Sequence, residues 1–439
     1  MREQRRSEAG LLEHLIAEEY TRESLAKIKE VLAGYGSHEI LPVANGLFAA
    51  SGSHAADSET GYQNVWVRDN VLVANSFRAR GESALAIDCV RGLTRFLATQ
   101  EKRFREIIGD ATGELKEVVN RRPHIRFAAE TLRELPERWP HAQNDALGMA
   151  LWLRFTMANS GELPLTTEEW ETFRLFPDYF AAIEYWRDTD SGAWEEGRKI
   201  NNSSVGAVIA GLEEMQKYLR STSGAKSGGV ISISAAQEDK VAQLLAKGGM
   251  RLEETLPFEA PPERLADAAL LNLIYPLRVV KSRAVEDGIL NLVQARLRGE
   301  IGILRYAGDS YFCQDYDEWF PPGQMSSDFS ERLEFRDALL QPRCEAQWCI
   351  FDPVLSIIYG ERYLADRGDR DSFLKQVYYF NRSLRQLTPD GKCPELYFLK
   401  RGEYVTNAHT PLAWTQANQA VALWMMEKSL GETAAKKTV

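Results

Sequence analysis

The chain has 439 residues, of which 44% are hydrophobic and 26% are charged, a composition typical of soluble globular proteins. Its net charge of -10 argues against nucleic acid or an anionic membrane as a partner, because both call for a basic surface. A neutral partner such as a sugar remains compatible with this charge, and no apolar run approaches the length of a membrane span.

The N-terminal segment "MREQRRSEAGLLEHLIAEEY" is basic, but acidic residues and His14 interrupt its apolar positions. It is typical of an amphipathic helix and not of a secretory signal. The five cysteines are an odd number without paired spacing, which favours free thiols in a reducing, cytoplasmic setting. Cys344 and Cys349 with only six histidines do not form a zinc pattern, so we expect no metal and no other cofactor.

The apolar periodicity is helical along almost the whole chain. In one predicted helix, for example, Leu85, Cys89 and Leu93 share one face. The pattern predicts helices at residues 9–34, 67–80, 84–103, 144–159, 166–186, 203–220, 234–248, 263–277, 284–298, 345–366, 370–387 and 412–429. The best strand candidate is "GGVISISA" at 228–235, and the lack of strand–helix alternation argues against a parallel sheet.

Composition shows no linker long enough to separate domains. Residues 220–230 and 307–335 are predicted excursions between helices, and the second is a long aromatic-rich loop of the kind that is usually functional. We therefore expect one domain at residues 41–432, an N-terminal helix within 1–40 that packs on it, and a disordered tail at 433–439.

Every second predicted helix is preceded by a polar segment that often contains tryptophan. These segments are "VWVRDN", "RWPHAQND", "WEEGRKINNSS", "PPERLADAALL", "RCEAQW" and "NAHTPLAW". An all-α fold accounts for this: an (α/α)6 toroid, or six-hairpin barrel, whose six inner helices gather their N-terminal ends at one mouth. The alternative is that these are ordinary helix caps, which would explain Asn202 and Ser203 but not the recurring tryptophans.

Glycosidic bond cleavage requires two carboxyl groups, one protonated as general acid and one ionised as base or nucleophile. The candidate acids are Asp69, Asp145, Glu195, Glu196, Glu345 and Glu395. Glu195 suits the acid role, because Trp194 and the neighbouring Glu196 would raise its pKa by desolvation and like charge. Glu395, between a proline turn and two aromatic residues, is a plausible partner, although paired carboxylates are common.

Seven segments resemble, in order, the motifs of the family 15 glycoside hydrolases, which are the glucoamylase family, together with the related domain of phosphorylase kinase α and β subunits. They are "VWVRDN", "WPHAQND", "WEEGRKINNSSVG", "DAALLNLIYPL", "ILRYAGDSYF", "PELY" and "PLAWTQA". The resemblance covers most of residues 40–430. It implies the (α/α)6 toroid and hydrolysis of terminal α-1,4-linked glucose with inversion.

By motif, the resemblance implies Glu195 as the general acid, Glu196 as a substrate-binding neighbour and Glu395 as the base that activates water. Arg68 and Asp69 would hydrogen-bond the terminal glucose. The remaining substrate-binding residues that it implies are Trp66, Trp139, Gln143, Asp145, Trp194, Arg305 and Trp414. Two alternatives stay open: Asp145 as a cap of the fourth helix, and Arg305 as a simple ion-pair partner of Asp309.

Several segments are closer to the phosphorylase kinase branch, and Glu395 is followed by Leu where many glucoamylases have Gln. A cytoplasmic protein that acts on short α-glucans or maltooligosaccharides is therefore the preferred interpretation; the sequence carries no signal for an oligomeric state. The alternative function is a carbohydrate-binding regulatory protein with weak or no catalysis. We favour the enzyme, because both Glu195 and Glu395 are retained. A phosphorolytic enzyme is a third hypothesis, which Glu395 opposes and Arg305 leaves open.

Overall fold

A computed structural model describes residues 12–52, 61–223 and 234–431. The predicted strand at 228–235 lies outside the described residues except for its last two positions, which begin a helix. The predicted tail at 433–439 also lies outside them, as do the first residues of the predicted helix at 9–34.

Helices account for most of the described residues. The α-helices are α1 Arg22–Gly34, α2 Val67–Ala79, α3 Ser83–Thr99, α4 Glu101–Gly109, α5 Asn144–Asn159, α6 Thr167–Phe173, α7 Phe176–Ile183, α8 Asn202–Ser223, α9 Ala235–Thr255, α10 Arg283–Arg296, α11 Tyr316–Trp319, α12 Pro322–Met325, α13 Leu333–Asp337, α14 Phe351–Ala365, α15 Arg370–Arg385 and α16 Ala413–Gly431. Short 3-10 helices lie at Glu13–Leu15, Leu115–Glu117, Gly192–Trp194 and Ala268–Leu273.

Six segments form a closed inner ring. Around it, α2 packs on α5, α5 on α8, α8 on the 3-10 helix Ala268–Leu273, that helix on α14, α14 on α16, and α16 back on α2. The outer helices α3, α9 and α15 pack on α2, α8 and α14, and α10 packs on the 3-10 segment. The predicted all-α (α/α)6 toroid is confirmed, and α1 packs on α16.

The inner helices are largely buried because they are surrounded by protein. In α5 all but three of its sixteen residues are buried, and α2 is buried through its first eleven residues. Gly148 lets α5 and α8 meet closely, since a Cβ there would lie 2.5 Å from the carbonyl carbon of Ala207.

Several predicted helices have other bounds in the structure. The predicted helix at 263–277 is the six-residue 3-10 helix Ala268–Leu273, and Pro276, which has no backbone N–H to donate, follows it. The predicted helix at 166–186 is divided into α6 and α7, with Pro177 in the first turn of α7. The predicted start at residue 345 is replaced by a strand, so α14 begins at Phe351.

The N-terminus of α8 is not capped as predicted. Asn202 and Ser203 are its first two helical residues, and the Asn202 side chain donates to the Phe258 carbonyl at 2.7 Å. The backbone N–H of Ser203 donates at 3.0 Å to the carboxylate of Glu259, which therefore satisfies this helix end from a distant loop.

Two small antiparallel sheets were not predicted, because strands of two to five residues are too short to show alternation. In the first, β1 Val65–Trp66, β2 Arg126–Ala128 and β3 Arg133–Glu134 pair in that order. In the second, β4 Gln347–Trp348, β5 Leu396–Lys400 and β6 Glu403–Thr406 pair in that order. The strands β1 and β4 directly precede the inner helices α2 and α14, so they fix the chain where it enters the ring.

Within the described ranges, we find no helix with both the length and the apolar character needed to cross a bilayer.

Candidate functional site

A cavity opens where the N-terminal ends of the inner segments meet, and we call this end of the ring the site mouth. Residues from at least five of the six inner segments, or from the stretches that directly precede them, line the cavity. The lining includes nine of the site residues predicted from the sequence: Trp66, Arg68, Asp69, Trp139, Trp194, Glu195, Arg305, Glu395 and Trp414. The geometry therefore brings nine predicted site residues to one cavity.

Arg68 lies in the first turn of α2 and is buried. Its Nη1 donates to Gln143 Oε1 at 2.8 Å and to Asp145 Oδ2 at 3.0 Å, and its Nη2 lies 3.5 Å from Glu195 Oε1. Asp145 is not the cap of α5, because Gln143 occupies that position; it accepts from Arg68 instead. Gln143 and Asp145 thus fix the side chain of Arg68, which lines the cavity.

Glu195 follows the 3-10 helix Gly192–Trp194 with a left-handed backbone, φ 60° and ψ 40°. A non-glycine residue in this region is uncommon. Its Oε1 accepts from Gln143 Nε2 at 3.1 Å. Burial raises the pKa of Glu195, while the positive charge of Arg68 and the Gln143 hydrogen bond partly oppose this.

Asp69 follows Arg68 in the first turn of α2 and is buried at the cavity wall. Burial raises the pKa of Asp69 to about 7; Arg68 lowers it, and the charges of Glu195 and Glu395 raise it. Asp69 is therefore within electrostatic reach of both predicted catalytic glutamates.

Glu395 lies immediately before β5 and is 3% exposed. Tyr62 donates to its Oε1 at 2.9 Å. The other oxygen, Oε2, accepts from Asn407 Nδ2 and lies 3.0 Å from His409 Nδ1. The His409 ring stacks on Tyr62 with centroids 3.5 Å apart, so four side chains form one rigid group. These contacts fix the orientation of the Glu395 carboxylate.

Glu196 has surroundings opposite to those of Glu195. Its Oε1 accepts from Arg305 at 2.9 Å and from Arg336, while its Oε2 accepts from Tyr306 at 2.5 Å and lies 3.3 Å from Arg264. Burial alone would raise the pKa of Glu196, but the three arginines outweigh it and lower the pKa to about 2. This carboxylate is ionised and fully paired, so it cannot act as an acid at neutral pH.

Arg305 forms the ion pair that the sequence left open, and its role as a substrate-binding residue stays a prediction. It pairs with Asp309 through two contacts of 2.6 Å, as an ordinary ion pair would, and it also lines the cavity. Its guanidinium lies over the rings of Trp194 and Trp348, at 5.2 and 4.8 Å from the centroids.

Trp194 is held at the cavity by Asp267, which accepts from the indole Nε1 at 2.9 Å. Asp267 also accepts from the backbone N–H of Ala269, so it caps the 3-10 helix Ala268–Leu273. The Asp267 carboxylate thereby fixes both the Trp194 ring at the cavity and the start of the fourth inner segment, Ala268–Leu273. Trp66 and Trp139 meet edge to face elsewhere in the cavity wall, with centroids 6.0 Å apart.

Sequence reasoning missed several residues that contact the predicted ones. These are Tyr62, Arg126, Tyr311, Arg336, Trp348, Asn407 and His409. Asn407 and His409 stand in "NAHTPLAW", a segment already singled out, so buried polar residues beside a candidate base were an available signal. The loop at 307–335 also reaches the cavity through Ser326, Ser327, Asp328 and Phe329.

Among the residues that the structure describes, no three His, Cys, Asp or Glu side chains are grouped so that they could hold a metal ion.

The family model for Glycosyl hydrolases family 15 matches residues 38–295. Among solved structures, a wild-type glycosidase is similar over 94% of this chain and 99% of its own, with a TM-score of 0.66 and 19% identity. A variant glycosidase in complex with glucose has the same values. A glucoamylase from Saccharomycopsis fibuligera is similar over 94% of this chain and 97% of its own, with a TM-score of 0.60 and 14% identity.

Two curated relatives come from Drosophila melanogaster. The chain is 25% identical over 223 residues to a probable phosphorylase b kinase regulatory subunit alpha, covering 48% of this chain and 16% of that protein. It is 25% identical over 205 residues to the corresponding probable subunit beta, covering 44% and 18%. The matches thus span less than a fifth of the length of either relative.

Proposed function

Because the chain belongs to Glycosyl hydrolases family 15, we propose that it is an inverting, exo-acting glycoside hydrolase that releases glucose from the non-reducing end of short α-1,4-glucans. One observation carries the proposal: Glu195 and Glu395 line the same cavity in different surroundings. Glu195 is buried with a raised pKa, whereas Glu395 accepts hydrogen bonds on both oxygens.

In the proposed reaction Glu195, protonated through its raised pKa, gives its proton to the glycosidic oxygen as the bond to the anomeric carbon breaks. Glu395 takes a proton from a water molecule, whose oxygen bonds to that carbon from the opposite face. Inverting enzymes hold the two carboxyl groups about 6.5–9.5 Å apart, which leaves room for this water. Tyr62 and His409 would keep the Glu395 carboxylate turned toward the water.

The same proposal assigns glucose binding to Arg68 and Asp69, with the tryptophans of the cavity packing on the sugar ring. Support comes from the burial of both charged groups, since hydrogen bonds to charged groups are strong where water is excluded. Glu196 would act on the substrate through Arg305, which it holds at the cavity wall. The five free cysteines support a reducing, cytoplasmic setting for this reaction.

The test is to incubate the protein with maltose through maltoheptaose and to follow released glucose by NMR. We expect the β-anomer to appear first, and Glu195→Gln and Glu395→Gln proteins to release glucose far more slowly. Initial release of the α-anomer would overturn inversion. Equal rates for wild type and both variants would overturn the assignment of the two glutamates.

A second candidate function is a carbohydrate-binding regulatory protein with weak or no catalysis. The similarity to phosphorylase kinase regulatory subunits favours it. It predicts saturable maltooligosaccharide binding without turnover, and loss of binding in a Trp66→Ala protein. Efficient, repeated turnover that disappears in Glu195→Gln would exclude it.

A further inference from the structure

Arg126 is a buried cation next to the cavity, and its charge is not used by the proposed reaction. It lies in β2, directly opposite Trp66 of β1, and is 5% exposed. Its guanidinium carbon lies 4.2 Å from the ring centroid of Trp139 and 4.9 Å from that of Trp66. Gly61 leaves space for it, since a Cβ there would lie 2.1 Å from Nη2.

Arg126 differs from the other buried arginines. Arg68, Arg122, Arg154, Arg305 and Arg336 each have a carboxylate partner within 4.0 Å. In the described part of the chain, no carboxylate lies within that distance of Arg126, and its buried Nε has no hydrogen-bond partner. A buried charge without a partner is costly, and two aromatic rings offset only part of the cost.

A second cavity, of about 370 Å³, lies beside Arg126 and shares Trp139, Ser326, Ser327 and Asp328 with the first. It is rich in groups that donate hydrogen bonds, and Arg138 and Arg332 add two further guanidinium groups to its lining. The lining acids are Glu137 and Asp328, and Asp328 is already paired with Arg138 at 3.4 Å. Arg126 is therefore the buried, unpaired cation of this cavity among the described residues.

The charge of Arg126 also acts on the proposed acid. Burial lowers the pKa of Arg126, and the charge of Glu195, followed by that of Glu137, opposes this most strongly. Burial raises the pKa of Glu195, and Arg126 is one of the groups that reduce this effect. An uncompensated guanidinium thus works against the protonated form that a general acid needs. An anion bound to Arg126 would cancel this influence.

We infer that Arg126 and the neighbouring cavity form a site for an oxyanion carried by the sugar, so that the preferred substrates are phosphorylated α-glucosides. The guanidinium fork matches a phosphate in a bidentate arrangement. This inference rests on the proposed sugar-binding function of the first cavity. A free phosphate ion has the same chemistry, so the experiment separates the two sources.

The experiment measures binding of glucose, glucose 1-phosphate, glucose 6-phosphate and inorganic phosphate by titration calorimetry. We expect one of the sugar phosphates to bind at least about tenfold more tightly than glucose, as a charged hydrogen-bonded pair provides. Arg126→Gln should abolish this preference, and Arg126→Lys should keep part of it. The matched control is Arg133→Gln, an exposed arginine in the paired strand β3, which should bind like wild type.

Each of the other outcomes overturns one part of the inference or of the proposed function. Glucose that binds as tightly as both sugar phosphates overturns the inference but leaves the proposed function standing, whereas the absence of any sugar binding overturns both. Inorganic phosphate that binds without an advantage for the sugar phosphates overturns the assignment to a substrate group. A preference that survives in a folded Arg126→Gln protein overturns the role of Arg126. The wild-type comparison does not depend on any variant folding.

Discussion

Charged side chains are buried at one end of the toroid and more exposed at the other. At the site mouth Arg68 pairs with Asp145 and Arg305 pairs with Glu196, and all four side chains are buried. At the opposite mouth, a larger cavity of about 910 Å³ is lined by the C-terminal parts of inner segments, and the cations of three of its ion pairs are mostly exposed. There, Lys281 pairs with Glu213 at 3.4 Å while its side chain is 68% exposed.

The burial of a charged side chain decides whether it costs stability. Exposed ion pairs contribute little in either direction, so the opposite mouth can carry them freely. Buried pairs are costly to desolvate, and removing one partner leaves the other uncompensated. The concentration of buried charge at the smaller cavity therefore indicates a function there more clearly than cavity size does.

The largest expected effect is at the proposed acid. Glu195→Gln removes the proton donor but keeps the Gln143 contact possible, so kcat/KM on maltotriose should fall by roughly 10²–10⁴-fold. Single-turnover kinetics would measure this, with Glu213→Gln at the opposite mouth as the control. A Glu195→Gln rate within a factor of two of wild type would contradict the contrast between the two ends.

The next effect is on stability. Glu196→Gln leaves Arg305, Arg336 and Arg264 without their shared carboxylate, and we expect the free energy of unfolding to fall by about 3–5 kcal/mol. Urea unfolding followed by tryptophan fluorescence checks this. If the free energy of unfolding fell as little as in Glu213→Gln, the buried charges at the site mouth would carry no special cost.

A smaller effect concerns pH dependence. Burial raises the pKa of Glu195, and the Gln143 hydrogen bond lowers it by favouring the ionised form. In Gln143→Met the donor is lost, so the pKa rises further and the acid stays protonated to higher pH. The basic limb of kcat/KM against pH should therefore move to higher pH. A limb that moves to lower pH would show that Gln143 instead stabilises the protonated acid.

The smallest effect is expected at the opposite mouth. Lys281→Gln removes an exposed ion pair, so the free energy of unfolding should change by no more than about 0.5 kcal/mol. Glucose release should be unchanged. A loss of activity on this substitution would show that the two ends are coupled and that the comparison is incomplete.

The parts of the fold that were predictable are those with a local signal. Helical periodicity and the recurring polar lead-ins predicted the inner helices α2, α5, α8, α14 and α16. The fourth inner segment was overpredicted: Asp267 is extended and caps the segment, so no helix precedes Ala268, and Pro276 has no backbone N–H with which to continue one. The short strands gave no periodic signal at all.

At the site, local patterns indicated the residues at the helix ends but not their partners. Tyr62 meets Glu395 across 333 positions of sequence, and Arg336 meets Glu196 across 140. Such contacts depend on how the ring closes, which no window of sequence contains. The opposite charge environments of Glu195 and Glu196, adjacent in the chain, likewise depend on distant partners, since Arg305 and Arg336 lie 109 and 140 positions from Glu196.

Ring closure joins distant parts of the chain at one seam. The backbone N–H of Ala413 donates to the carbonyl of Ala50 at 2.8 Å, and Ser51 forms a bridge with Leu412. During synthesis the N-terminal segments emerge first, so Ala50 and Ser51 are made long before their seam partners Leu412 and Ala413. The entropy of closing so long a loop is offset only when the last inner helix docks. Tyr62 reaches Glu395 at that step, which would make glucose release a late marker of folding.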